Sequence, residues 1–139
     1  TDGYIKALQD NNIAFDENLI IKIEDVDTCE ITISKLLADK VIDAVFAVNE
    51  LFAVTILKTA HKMNLNVPKD LAIIAFTDGI ISKYSTPTIT TVSQSGIKMG
   101  KKAAEILIAR LESEEDDNDE EIYKTEIIET HLIERESTD

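Results

Sequence analysis

One cysteine, Cys29, stands in 139 residues, so the chain can form no internal disulfide and no two-cysteine metal motif, a usage compatible with a reducing cytosol. No apolar run approaches the roughly 18–20 residues that span a bilayer, which excludes a membrane segment. Basic residues are few, 14 Lys and Arg against 27 Asp and Glu, for a net charge of −13. No basic stripe exists to neutralise phosphates, so this chain is not expected to bind nucleic acid directly. The four glycines (3, 79, 96 and 100) are scattered and make no phosphate loop. Only two histidines occur, His61 and His131, with no spacing to another ligand type that would assemble a metal set. No acid–base pair can be put together, and neither catalysis nor a cofactor nor a metal is expected. The start, Thr1-Asp2-Gly3-Tyr4, carries neither an initiator Met nor a signal segment and reads as an internal boundary of a longer protein.

What is present suffices for a core: 44% of the residues are apolar. Eight of the ten residues from Glu112 to Glu121 are acidic; without them 19 acids face 14 bases, a net of −5. The run reads as a solvated loop, because self-repelling carboxylates without spaced Gly turns make a poor calcium site. Elsewhere the apolar period alternates between helix-like and strand-like, as in βα units. Tyr4, Ile5 and Leu8 mark a short helix, and 19–23 reads as a strand rich in β-branched residues. Thr28 is placed to cap a helix with Cys29, Ile33, Leu36 and Leu37 inward. The run 44–48 is a continuous apolar strand, the pattern of one covered on both faces, with Asn49 opening the helix behind it. The residues 71–76 form another buried strand. From Thr77 to Thr91 no helical period is visible, only an irregular connection of the length that often carries function. An amphipathic helix spans about 94–112, with Ile97, Ala104, Leu107, Ile108 and Leu111 on one face. Gly96 and Gly100 within it suggest close packing against another element. Strands are expected over 122–130 and 132–133. The fold class is α/β, with a mainly parallel sheet and helices on both faces.

Ligands of open parallel sheets bind at the carboxyl ends of the strands. The residues there are Glu24, Asp25 and Asp27, then Asn49 and Glu50, then Thr77, Asp78 and Gly79. This set is rich in hydrogen-bonding groups and short of cations and nucleophiles, which suits a polyhydroxylated or amide-bearing small molecule. Asn49 reads equally as a helix cap, Asp78-Gly79 equally as a turn pair, and Glu24 and Asp25 as solvated turn residues. Cys29, on an inner stripe, reads as a small core hydrophobe.

Six segments in order resemble the effector-binding domain of the LacI/GalR family of transcription repressors. They are Asp2-Gly3-Tyr4-Ile5-Lys6-Ala7-Leu8, the stretch Ala44-Val45-Phe46-Ala47-Val48-Asn49-Glu50-Leu51-Phe52-Ala53, and Asn66-Val67-Pro68-Lys69-Asp70-Leu71 running on through Phe76-Thr77-Asp78. The others are Pro87-Thr88-Ile89-Thr90-Thr91-Val92-Ser93-Gln94, Met99-Gly100-Lys101-Lys102-Ala103-Ala104, and the ending Leu132-Ile133-Glu134-Arg135-Glu136-Ser137-Thr138.

The resemblance implies a type I periplasmic-binding-protein-like fold of two lobes, of which this chain supplies the C-terminal part. Residues 1–90 would be the partial C-terminal effector-binding lobe, and 91–112 the crossover helix of the N-terminal lobe. Residues 113–121 would be the acidic loop, and 122–139 the strands returning to the C-terminal lobe. The implied ligand-binding residues are Asn49, Asp78, Thr77, Gln94 and, by a looser match, Asp25. Thr77 stands where the family often has a first acid, and Glu50 where it usually has Asp. The family's ligand-binding arginine would fall just before Thr1, which raises the expectation of a fragment cut after an arginine that binds effector weakly on its own. The implied partners are a sugar-like small-molecule effector in the interlobe cleft, a second copy in a homodimer, and DNA only through a headpiece absent from this chain. The implied location is the cytoplasm. A solute-binding protein of a transport system shares the fold and is the alternative. A phosphoacceptor receiver domain fails on order, because Asn49 stands where its acceptor aspartate should end the 44–48 strand.

Overall fold

The computed structural model describes residues 1–39, 42–112 and 125–139. Four strands form one sheet in the order β1 (Ala44–Ala47), β2 (Ala72–Phe76), β3 (Thr90–Ser93) and β4 (His131–Ile133). The first three run parallel and β4 is antiparallel to β3, with Phe46 opposite Ile74, Phe76 opposite Val92 and Val92 opposite Leu132. The helices are α1 (Asp2–Asp10), α2 (Val26–Ala38), α3 (Glu50–Lys62), α4 (Ile80–Tyr84) and α5 (Gly96–Glu112). This is the mainly parallel α/β arrangement that the alternating apolar period implies.

The core lies on one face of the sheet. Ile73, Ala75, Ala47 and Ile89 point into it and meet Ala53, Ile56, Leu57 and Ala60 of α3 and Cys29, Ile33 and Leu37 of α2. Cys29 is buried there, and burial pushes its thiol up, as befits a core residue rather than a nucleophile. The expectation of cover on both faces is met on this face only. Among the described residues the opposite face leaves Phe46 55% exposed, its ring edge-on to Phe76 at 6.4 Å, with Ile74 and Val92 half-buried alongside.

Five local expectations are corrected. Residues 19–23 form no strand: Asp16 accepts a hydrogen bond from the Asn18 N–H, closing a 3-10 turn at Glu17–Leu19, and the extended residues after it find no ladder partner. The cap of α2 is Asp25, not Thr28; the Asp25 carboxylate accepts from the Thr28 N–H at 2.6 Å. The connection after β2 contains α4, five residues being too short to show a period. Among the described residues nothing lies within 4 Å of where a Cβ on Gly96 or Gly100 would stand, so no close packing contact is seen there. Of the final expected strands, 125–130 has no ladder partner and β4 covers 131–133, while 122–124 and most of the acidic run lie outside the described residues.

Candidate functional site

Parallel pairing aligns the carboxyl ends of β1, β2 and β3, and the residues after each strand fall in one row. Asn49 follows β1 and caps α3, its Oδ1 accepting from the Phe52 N–H at 3.0 Å. Both readings of Asn49 are compatible with this geometry, because the cap uses only the oxygen and its Nδ2 donors make no hydrogen bond among the described residues. Thr77 follows β2 and Gln94 follows β3, and the two meet: Gln94 Nε2 donates to Thr77 Oγ1 at 3.2 Å. The Thr77 backbone has φ +88°, a strained conformation for a β-branched residue of the kind that collects at ligand clamps.

Asp78 sits beside this row but faces inward. Its Oδ1 accepts from Arg135 Nη2 at 2.6 Å and from Thr91 Oγ1 at 3.0 Å, and its Oδ2 lies 3.2 Å from Lys83 Nζ. Burial pushes its carboxyl up, but the hydrogen bonds from Arg135, Lys83 and Thr91 outweigh this and hold it below the usual carboxylate range. Both oxygens are thus engaged internally. Asp25 is the α2 cap, and the ladder does not tie it to the row of Asn49, Thr77 and Gln94. Its carboxyl is lowered by the hydrogen bonds of Thr28.

Two residues without an assigned role in the sequence organise the neighbourhood. Glu50 Oε1 accepts from the Gly79 and Ser82 N–H groups, both at 2.9 Å, and so holds the first turn of α4 onto α3. A Cβ on Gly79 would stand 2.1 Å from Glu50 Oε2, so a side chain there would push the Glu50 carboxylate off the two N–H groups it holds. Arg135 Nη1 donates to Ile89 O at 2.8 Å and to Thr91 Oγ1 at 3.0 Å. Next to it Ser137 is buried between strands: its Oγ donates to Ile73 O and accepts from the Thr90 N–H. For Arg135 and Ser137 the signal in the sequence is the polar ending 134–138, which has no helical or strand period.

Among the described residues no group of three His, Cys, Asp or Glu is placed to hold a metal ion. His61 and His131 are both exposed. A depression of about 500 Å³ lies on the outer surface of α2, lined by Asp27, Glu30, Ile31, Ser34 and Lys35. It belongs to one helix and includes none of the strand-tip residues, so it does not compete with the row as a site.

Residues 1–138 match the periplasmic binding protein-like domain. The chain belongs to this family, in its LacI/GalR branch. It is 38% identical over 138 residues to the HTH-type transcriptional regulator MalR of Clostridium butyricum, covering 98% of this chain and 39% of that protein. It is 28% identical over 137 residues to the HTH-type transcriptional regulator CelR of Thermobifida fusca, covering 97% of this chain and 39% of that one. Among solved structures, a LacI-family regulator from Sanguibacter keddieii superimposes with a TM-score of 0.86 at 29% identity, over 98% of this chain and 51% of that chain. A CelR–cellobiose complex superimposes with a TM-score of 0.79 at 28% identity, over 97% and 40%. The chain therefore spans about two fifths of the length of the relatives it matches. The expected family and fold are both borne out.

Proposed function

We propose that this chain is the ligand-sensing part of a LacI/GalR-type DNA-binding regulator of carbohydrate metabolism, with a sugar-like effector as its ligand. The observation that carries the reading is the row of Asn49, Thr77 and Gln94 at three adjacent strand tips, which offers uncharged donors and acceptors and no nucleophile. The names of the relatives favour a regulator over a transport protein, and CelR was solved with a disaccharide. Asp25 and Asp78 have lesser parts, one as a cap and the other as an internal anchor, leaving neutral groups to meet the ligand.

In this reading residues 1–90 and 122–139 belong to one lobe, and 91–112 is the segment that leaves it: β3 (Thr90–Ser93) still pairs in the sheet of that lobe, Gln94 stands at the crossing, and α5 lies in the other lobe. One feature supports the division: no residue of α5 is buried, and Ile97 at its start is 91% exposed. Ligand closing the two lobes would alter operator affinity only through its differential affinity for the two arrangements. Binding to DNA belongs to a part outside this chain, the second copy of a homodimer is the other partner, and the place of action is the cytoplasm. No helix among the described residues is long and apolar enough to cross a membrane. Fluorescence anisotropy of the intact protein on its operator tests the reading: a neutral sugar should shift the binding curve, and Gln94→Ala should abolish the shift without changing sugar-free affinity. A sugar response unchanged by Gln94→Ala would refute it.

A further inference from the structure

The geometry points to Arg135 as a positioning residue that holds Thr77 in its ligand-facing conformation from the far end of the chain. The inference rests on the reading of the strand tips as a ligand jaw. Arg135 lies two residues beyond β4, and 57 positions separate it from Asp78 in sequence. Its guanidinium reaches three acceptors in a fixed fork: Ile89 O and Thr91 Oγ1 through Nη1, and Asp78 Oδ1 through Nη2. Both side chains are largely withdrawn from solvent, 15% and 12% exposed, so the pair is screened little.

Thr77 is therefore caught between three fixed points. Its own N–H donates to Val92 O at 2.9 Å, Asp78 after it is anchored by Arg135, and the next N–H, of Gly79, is anchored by Glu50. A positive φ at a β-branched residue persists only where the surroundings over-determine it. Val92 and Glu50 hold the two ends of the turn, and Arg135 supplies the fixed point between them. Because β4 pairs with β3 and leads straight into Arg135, the same contact ties the returning strand to the row of Thr77 and Gln94.

Thr77 and Arg135 make no hydrogen bond with each other, so an energetic coupling between them would not arise from a general packing role. Hydrogen exchange of the intact protein without ligand, read by mass spectrometry, tests this with R135Q, T77G and the double variant. R135Q should raise exchange across 77–82 by about tenfold or more while β2 amides at Ile73 and Ala75 keep their protection. In the T77G background, where glycine adopts the positive φ freely, the same substitution should raise it by only about threefold or less. If R135Q does not fold, D78N severs the same link and the same pattern is expected. Equal increments in both backgrounds, or a rise spread over the whole sheet, would overturn the assignment. Calorimetry with cellobiose on the wild-type protein and T77G is read separately. Binding that T77G weakens supports the jaw, whereas absent binding or binding that T77G leaves unchanged, together with the expected exchange pattern, would remove the ligand reading and keep Arg135 as the anchor of Thr77.

Discussion

Asp78 and Ser82, four residues apart, show opposite treatments of a buried polar group. Asp78 has an arginine, a lysine and a hydroxyl on its carboxylate, whereas the Ser82 hydroxyl is fully buried with no hydrogen-bond partner among the described residues. An unsatisfied buried hydroxyl costs about 1–3 kcal/mol, so Ser82→Ala should stabilise the protein by about 1 kcal/mol in urea unfolding. Asp78 has a folded pKa below its unfolded one, so its contribution to stability is present above about pH 4 and is lost as the pH falls through the folded value. Asp78→Asn should accordingly be less stable than wild type at pH 7, and the gap should narrow in unfolding curves taken at progressively lower pH below about 4. The residue type at a strand tip was legible as polar and hydrogen-bonding. That Asp78 turns inward was not, because its partner Arg135 is fixed only once β4 lies beside β3.

Between elements, the contact that sets the local geometry is the Glu50 carboxylate on the first turn of α4. It satisfies two N–H groups that a helix start leaves open, and a side chain at 79 would have to displace it from them. Gly79→Ala should cost about 1–3 kcal/mol through overlap with Glu50, and less in a Glu50→Ala background where the overlapping oxygens are gone. Thermal unfolding of the four proteins of this cycle measures the coupling, and equal costs in the two backgrounds would refute the contact. Elements with a continuous apolar run or a helical stripe were readable: β1, β2, α2, α3 and α5 all lie within a few residues of where the apolar pattern places them. The failures share one cause. A five-residue helix such as α4 has too few turns to show a stripe. The 19–23 run has the composition of a strand, but becomes one only if a neighbour offers a ladder.

For the molecule as a whole, the apolar surface left open among the described residues includes the sheet face around Phe46 and the stripe of α5 with Ile97, Leu107 and Leu111. Such stripes are ordinarily buried against a partner. The 139-residue chain should therefore self-associate at micromolar concentration through Ile97, Ala104, Leu107 and Leu111. Sedimentation velocity is expected to show a species heavier than one chain that Leu107→Glu returns to the monomer; a compact wild-type monomer would count against it. The ordered motifs made the fold legible at this scale, since no single segment is diagnostic but six in sequence are. Ligand chemistry was less legible, because it depends on which polar groups the tertiary structure consumes and which it leaves facing out.

The central claim is that Asn49, Thr77 and Gln94 form one jaw for a neutral, hydroxyl-rich effector. Asn49→Asp tests it most directly, because aspartate keeps the oxygen that caps α3 and removes the Nδ2 donors. Titration calorimetry of the intact protein with neutral mono- and disaccharides should find one that binds the wild type. The same sugar should bind Asn49→Asp about tenfold or more weakly at an unchanged melting temperature. Equal affinity in the two proteins, or heat from none of the sugars, would contradict the account.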